Sequence, residues 1–166
     1  DKLDRNGHKQ WTITPWENGD FRGIAVDDTG IYATGELDVA DVTQLDLDGR
    51  FLRHFGHGGR FFGELAVGRS GIYAPSTYDY SSTLMRQYAH DGRLLWSRRS
   101  RLDGGNVLRP QGVAVDATGI YLSNTLLNQF TAPRVLVSKL SPNGNELWAL
   151  ALANNAEVTG LTLRNG

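Results

Sequence analysis

Gly23-Ile24-Ala25-Val26-Asp27-Asp28-Thr29-Gly30-Ile31-Tyr32 decides the fold, because it returns. It recurs as Glu64-Leu65-Ala66-Val67-Gly68-Arg69-Ser70-Gly71-Ile72-Tyr73, and again as Gly112-Val113-Ala114-Val115-Asp116-Ala117-Thr118-Gly119-Ile120-Tyr121. Gly160-Leu161-Thr162-Leu163-Arg164-Asn165-Gly166 opens a fourth copy. Self-similarity with a period of about 40–50 residues points to a propeller or a related repeat architecture.

A second landmark alternates with the first. Leu3-Asp4-Arg5-Asn6-Gly7, Leu45-Asp46-Leu47-Asp48-Gly49, Tyr88-Ala89-His90-Asp91-Gly92 and Leu140-Ser141-Pro142-Asn143-Gly144 each place Asn-Gly or Asp-Gly between apolar runs. That dipeptide predicts a type I′ hairpin, with both central residues at positive φ. Trp11, Trp96 and Trp148 follow at one fixed offset. In the second copy Arg53 takes the slot, between Phe51 and Phe55. Two hairpins per repeat make four short strands, A to D, near 23–26, 31–35, 42–47 and 51–55 in the first full repeat.

The expected fold is therefore all-β: a β-propeller of four-stranded antiparallel blades. Residues 1–19 supply a partial blade (strands C and D). Complete blades follow at 20–58, 59–105 and 106–155, and 156–166 add one more A strand. The two ends are nearly complementary, which predicts a ring completed by further chain or by oligomerisation.

Composition supports this reading and excludes others. The chain has 166 residues, 20 glycines, no cysteine and a formal net charge of −1. Without cysteine there is no disulfide framework, thiolate metal site or thiol catalysis. Near-neutral charge argues against nucleic acid, whose phosphates need a basic face. No run is long enough for a transmembrane helix, and no basic-then-apolar leader opens the sequence.

Link lengths show where a site belongs. The A–B and C–D links are short and constant, whereas the B–C and D–A links vary from repeat to repeat. Variable loops on a constant scaffold are where binding residues gather. The candidates on those loops are His57 and Arg60, Tyr78, Asp79 and Tyr80, Arg101 and Arg109, and Arg134. Tyrosine beside a carboxylate suits a carbohydrate or protein ligand, because aromatic faces stack while the acid accepts hydrogen bonds. Arginine suits anions. Within Arg98-Arg99-Ser100-Arg101, the first two arginines read as charge protecting an outer strand edge from strand addition. Pro75 is expected to break its B strand.

Other polar residues have plainer readings. Asp27 and Asp116 cap the A–B turn, as short polar side chains do. Asp46-Leu47-Asp48-Gly49 lacks the remaining ligands of a calcium loop and reads as a turn. His54 and His57, three apart on a strand end, point to opposite faces and make no zinc pair. His8 and His90 read as solvated. The recurring tryptophans read as packing between blades, so Trp148→Ala is expected to cost about 3–5 kcal/mol if that ring is fully buried. No metal set, cofactor or catalytic group is expected.

The pattern Gly-Ile-Ala-Val-Asp-x-x-Gly-Ile-Tyr, followed by Lys139-Leu140 and Leu147-Trp148, resembles the bacterial β-propeller repeats known as SBBP repeats, and more distantly NHL repeats. The resemblance covers practically the whole chain, and Gly68 in place of the aspartate is a departure. It implies a non-catalytic binding or interaction module of a larger bacterial surface or secreted protein, outside the cytoplasm. The alternative it implies is a propeller enzyme using the central funnel, either a lactonase-like hydrolase or a quinoprotein-type dehydrogenase fragment. The A strands, mostly Ile, Ala, Val, Leu and Thr, offer such an enzyme few inward ligands.

Overall fold

The computed structural model describes residues 1–13, 20–36, 42–56, 63–79, 82–101, 107–128, 131–154, 156 and 158–163. Among them the chain is all-β, without a helix. A short hairpin, β1 (Lys2–Leu3) and β2 (Lys9–Trp11), precedes three four-stranded antiparallel sheets. The first comprises β3 (Asp20–Asp27), β4 (Gly30–Glu36), β5 (Val42–Leu45) and β6 (Phe51–Phe55). The second comprises β7 (Ala66–Gly68), β8 (Gly71–Asp79), β9 (Ser82–Tyr88) and β10 (Leu94–Arg101). The third comprises β11 (Val107–Asp116), β12 (Gly119–Asn128), β13 (Thr131–Leu140) and β14 (Glu146–Asn154). Each is a plain meander in chain order. The four strands expected at 23–26, 31–35, 42–47 and 51–55 are β3 to β6.

The repeated dipeptide Ile-Tyr explains how the sheets stack. Neighbouring residues of a strand point to opposite faces. Ile72 joins a core with Tyr32, Val42 and Phe55 of the first sheet, while Tyr73 joins a core with Val113, Ile120 and Leu122 of the third. Isoleucine thus faces the preceding sheet and tyrosine the following one. The hydrophobic cores lie between sheets.

The inner strands run side by side, β3 against β7 and β7 against β11. Glu64 N–H donates to Gln111 O at 2.8 Å, joining the approach to β7 to β11. A Cβ on Gly23 would lie 2.7 Å from Glu64 Cα, and one on Gly112 would run into Gly160 and Leu161. The first positions of the four repeats therefore meet.

Several expectations change. Residues 156–166 were to form a fourth A strand. The described residues there are not in a strand, since they have no antiparallel neighbour to pair with, although 160–161 run beside Gly112. Pro75 does not break β8. It is fully buried and paired with Met85, beyond the point where β7 stops at Tyr73, so a prolyl nitrogen has no inner ladder bond to lose. The C–D hairpins are not two-residue type I′ loops. Gly49 N–H donates to Asp46 O and Asp46 N–H to Arg50 O, so Leu47 and Asp48 are central and Gly49 follows at φ +84°. This is the three-residue loop with a left-handed glycine. Its organising residue is Asp46, whose Oδ1 accepts from the N–H groups of Asp48 and Arg50.

The link assignments shift as well. Tyr78 and Asp79 end β8, Arg101 ends β10, Arg109 lies in β11 and Arg134 in β13, all paired strand positions and not loops. Strands in the second and third sheets run on because antiparallel pairing continues almost to the connection, as in Asp79 opposite Ser82.

Candidate functional site

The end of the sheets carrying the A–B turns is built for structure. Asp116 Oδ1 accepts from Thr118 N–H at 2.7 Å and from Thr118 Oγ1–H at 2.8 Å. Asp27 does the same for Thr29 at 2.8 and 2.6 Å. Each threonine hydroxyl then meets the tyrosine of the repeat, at 2.6 Å for Tyr32 and 3.0 Å for Tyr121. Gln44 and Gln87 donate to the hydroxyls of Tyr32 and Tyr73, both at 3.1 Å. Burial pushes the Tyr32 and Tyr73 phenols up. The hydrogen bonds from Thr118 hold the Asp116 carboxyl below its usual range. The capping role read for these aspartates is what the geometry shows.

His90 differs from its reading as a solvated side chain. Its Nδ1 lies 3.4 Å from Asp27 Oδ2 and 3.3 Å from Thr29 Oγ1, and its ring meets Tyr32 edge-on. The C–D turn of the second sheet is thereby fastened to the A–B turn of the first. His8 stays at the surface beside Asp4. His54 bonds Thr43 Oγ1 at 3.0 Å within the sheet, and burial pushes its pKa down.

The opposite end carries the predicted binding residues. His57, Arg60 and Tyr80 lie outside the described residues. Strand pairing puts Asp79, Ser82 and Arg101 in one row across the second sheet. Tyr78 immediately precedes that row. Thr77 Oγ1 reaches Leu108 O at 3.5 Å, so the same end of the third sheet adjoins it. Arg109 and Arg134 separate: Arg134 shares a row with Leu126 and Leu108, whereas Arg109 shares one with Thr125 and Val135. Alternation places them on opposite faces of the third sheet. Only Arg134 is on the face that looks toward the second sheet.

That face walls a cleft of about 230 Å³ between the second and third sheets. Arg98, Arg99 and Ser100 line it from β10, with Asn124 and Ser138 opposite and Leu108 at one end. Arg99 Nε donates to Ser82 Oγ at 2.9 Å, and Thr83 Oγ1 to Asn124 Oδ1 at 3.3 Å. The cleft thus combines guanidinium donors with hydroxyl and amide groups above an apolar floor, which suits a polar ligand carrying negative charge. The clue in the sequence was the Arg98–Arg101 cluster. Its reading as edge charge accounts for strand position and misses that the facing sheet encloses it.

A second residue escaped the sequence reading. Glu64 occupies the repeat position held elsewhere by Gly23, Gly112 and Gly160. A Cβ on Gly160 would lie 3.1–3.2 Å from the Glu64 carboxylate oxygens, so this acid fills space that three glycines leave among the inner strands. Its signal was visible as the lone carboxylate in an otherwise glycine column. Among the described residues no group of three or more His, Cys, Asp or Glu could hold a metal ion. No helix there is long and apolar enough to cross a membrane.

Comparison with known proteins finds no family model that matches the chain and no curated protein that matches it.

Proposed function

We propose that the chain is a segment of a β-propeller built from SBBP-like repeats, and that it works as a non-catalytic binding module. The support for a propeller is the side-by-side placement of β3, β7 and β11, with each sheet packed face to face on the next. The residues 20–58, 59–105 and 106–155 are its three full blades. The support for binding is the cleft between the second and third sheets, where Arg98 and Arg99 face buried polar side chains. The ligand is a protein or carbohydrate carrying an anionic group, engaged from the end that holds the B–C and D–A links. Such a module belongs to a larger bacterial surface or secreted protein.

Glu64 gives the enzymatic alternative its one foothold, as an acid among the inner strands. A lone carboxylate supplies neither a metal set nor an acid–base pair, and the binding reading is the stronger.

The test is retention of the chain on arrays of neutral and acidic oligosaccharides and of acidic peptides. Binding to acidic members, lost in Arg98→Ala and weakened in Arg134→Ala while melting is unchanged, is expected. Arg109→Ala, on the other face of the sheet, should bind nearly as the parent does. Equal binding by all three variants, or none by the parent chain, would overturn the assignment.

A further inference from the structure

Three times in this chain an aromatic side chain on an outermost strand lies on the turn glycine of the next sheet. A Cβ on Gly49 would sit 2.9 Å from Trp11, one on Gly92 3.0 Å from Phe55, and one on Gly144 2.7 Å from Trp96. The glycines are needed both for positive φ, +79° to +85°, and because the ring takes the space of a side chain. Each end of the series is left with one half of the contact. Trp148, the next aromatic, is 43 % exposed, with Leu150 at 54 % and Leu152 at 58 % beside it. Gly7, the first turn glycine, has φ +82° and nothing within 4 Å of its Cβ position.

Charge follows the same order. The third residue of each C–D turn meets the A–B turn of the preceding sheet, as His90 meets Asp27. Where the preceding sheet has Gly68 in the aspartate's place, the turn that follows carries uncharged Pro142. The third sheet presents Asp116 again, exposed, and the residue in the matching position of the first hairpin is Arg5. Bases repeat too. Lys2 Nζ donates to Leu47 O of the next turn at 2.9 Å, and Arg53 donates to Asp91 O of the next turn. Lys139 occupies the place of Lys2 in the third sheet, 2.9 Å from Thr118 Oγ1, and Asp4 lies in the hairpin that would face it.

We propose that the free face of the third sheet, centred on Trp148, takes the β1–β2 hairpin of a second copy of this chain. Gly7 of that copy lies on the Trp148 ring and Arg5 pairs with Asp116. The chain's own hairpin is already seated on its first sheet through Trp11 and Lys2. The contact is head to tail, so it propagates into a ring or an open array according to the rotation per copy. The inference extends the proposed propeller. Its test reads particle mass and not ligand retention, so failure of one does not mimic failure of the other.

The experiment is sedimentation of the 166-residue chain from micromolar to millimolar concentration, with two variants blocked on opposite sides. Arg5→Glu disables the hairpin side and Trp148→Ala the sheet side. Leu150→Glu, on the same exposed face, serves if Trp148→Ala is poorly folded. The parent should gain mass with concentration, and each variant alone should remain a single chain. An equimolar mixture of the two variants should form a two-chain particle and go no further, because each retains the side the other lacks. A parent chain of single-chain mass throughout overturns the proposal, as does a mixture that stays monomeric. A monomer whose melting drops sharply with Trp148→Ala also overturns it, since that would place the partner of Trp148 within the same chain.

Discussion

Gly30, Gly71 and Gly119 show how single residues hold the repeat together. Each stands at the A–B turn with positive φ, and a Cβ there would run into the backbone carbonyl of the C strand: Leu45, Tyr88 or Leu140. Gly71→Ala should lose about 1–3 kcal/mol to backbone strain alone, with displacement of the Tyr88 carbonyl adding to it. Chemical denaturation checks this, and a change within experimental error would contradict the geometry. Two titrating residues act with opposite signs. His54 has a folded pKa below its ordinary 6.5, because burial disfavours the imidazolium. The unfolded chain therefore binds more protons than the folded one below 6.5, and stability falls as pH drops through that value. His54→Asn should flatten this slope between neutral and mildly acidic pH, as read from melting temperature. Asp116 is depressed below 3.8 by its bonds to Thr118. Its contribution is present above 3.8 and is lost only as pH falls through the lower folded value, a loss that Asp116→Asn should remove.

At the scale of strands and turns, the recurring aromatics divide by position. Trp96 packs against the core between the second and third sheets and covers Gly144. Trp148 occupies the same repeat position on a face that nothing covers. Trp96→Ala should cost roughly 2–4 kcal/mol, toward the lower end for a large aromatic because the ring is half-buried. Trp148→Ala should cost under about 1 kcal/mol in the isolated chain. The 3–5 kcal/mol expected for a buried Trp148 does not apply, because its exposure is 43 %. Fold was legible here for a physical reason: a hairpin glycine, an Ile-Tyr pair and a tryptophan recur because each sheet solves the same packing problem. Phe55 shows the limit. It replaces the missing tryptophan by covering Gly92 from a position two residues beyond Arg53, a substitution that shape permits and position alone does not reveal. The turn type was misread for a similar reason. Asn-Gly and Asp-Gly fit two loop lengths, and Asp46, a residue outside the dipeptide, chooses between them. The candidate site was the least legible feature, because the cleft depends on two sheets facing each other while Arg109 and Arg134 differ only in strand parity.

For the whole molecule, the central claim is that the sheets radiate from one axis and do not stack in a straight line. Inner-strand contacts favour the axis: Gly23 meets Glu64, Glu64 meets Gln111, Gly112 meets Gly160, and the Glu64 carboxylate reaches back toward Gly160. With no native cysteine, single pairs can be introduced cleanly at Arg50, Arg93 and Asn145, the exposed residues after each turn glycine. Spin labels there give three distances by pulsed electron resonance. The account predicts two equal neighbour distances, and a first-to-third distance about 1.4 to 1.8 times as long, the chord ratios of four- to seven-bladed propellers. A ratio near 2, that of a straight solenoid, would contradict it.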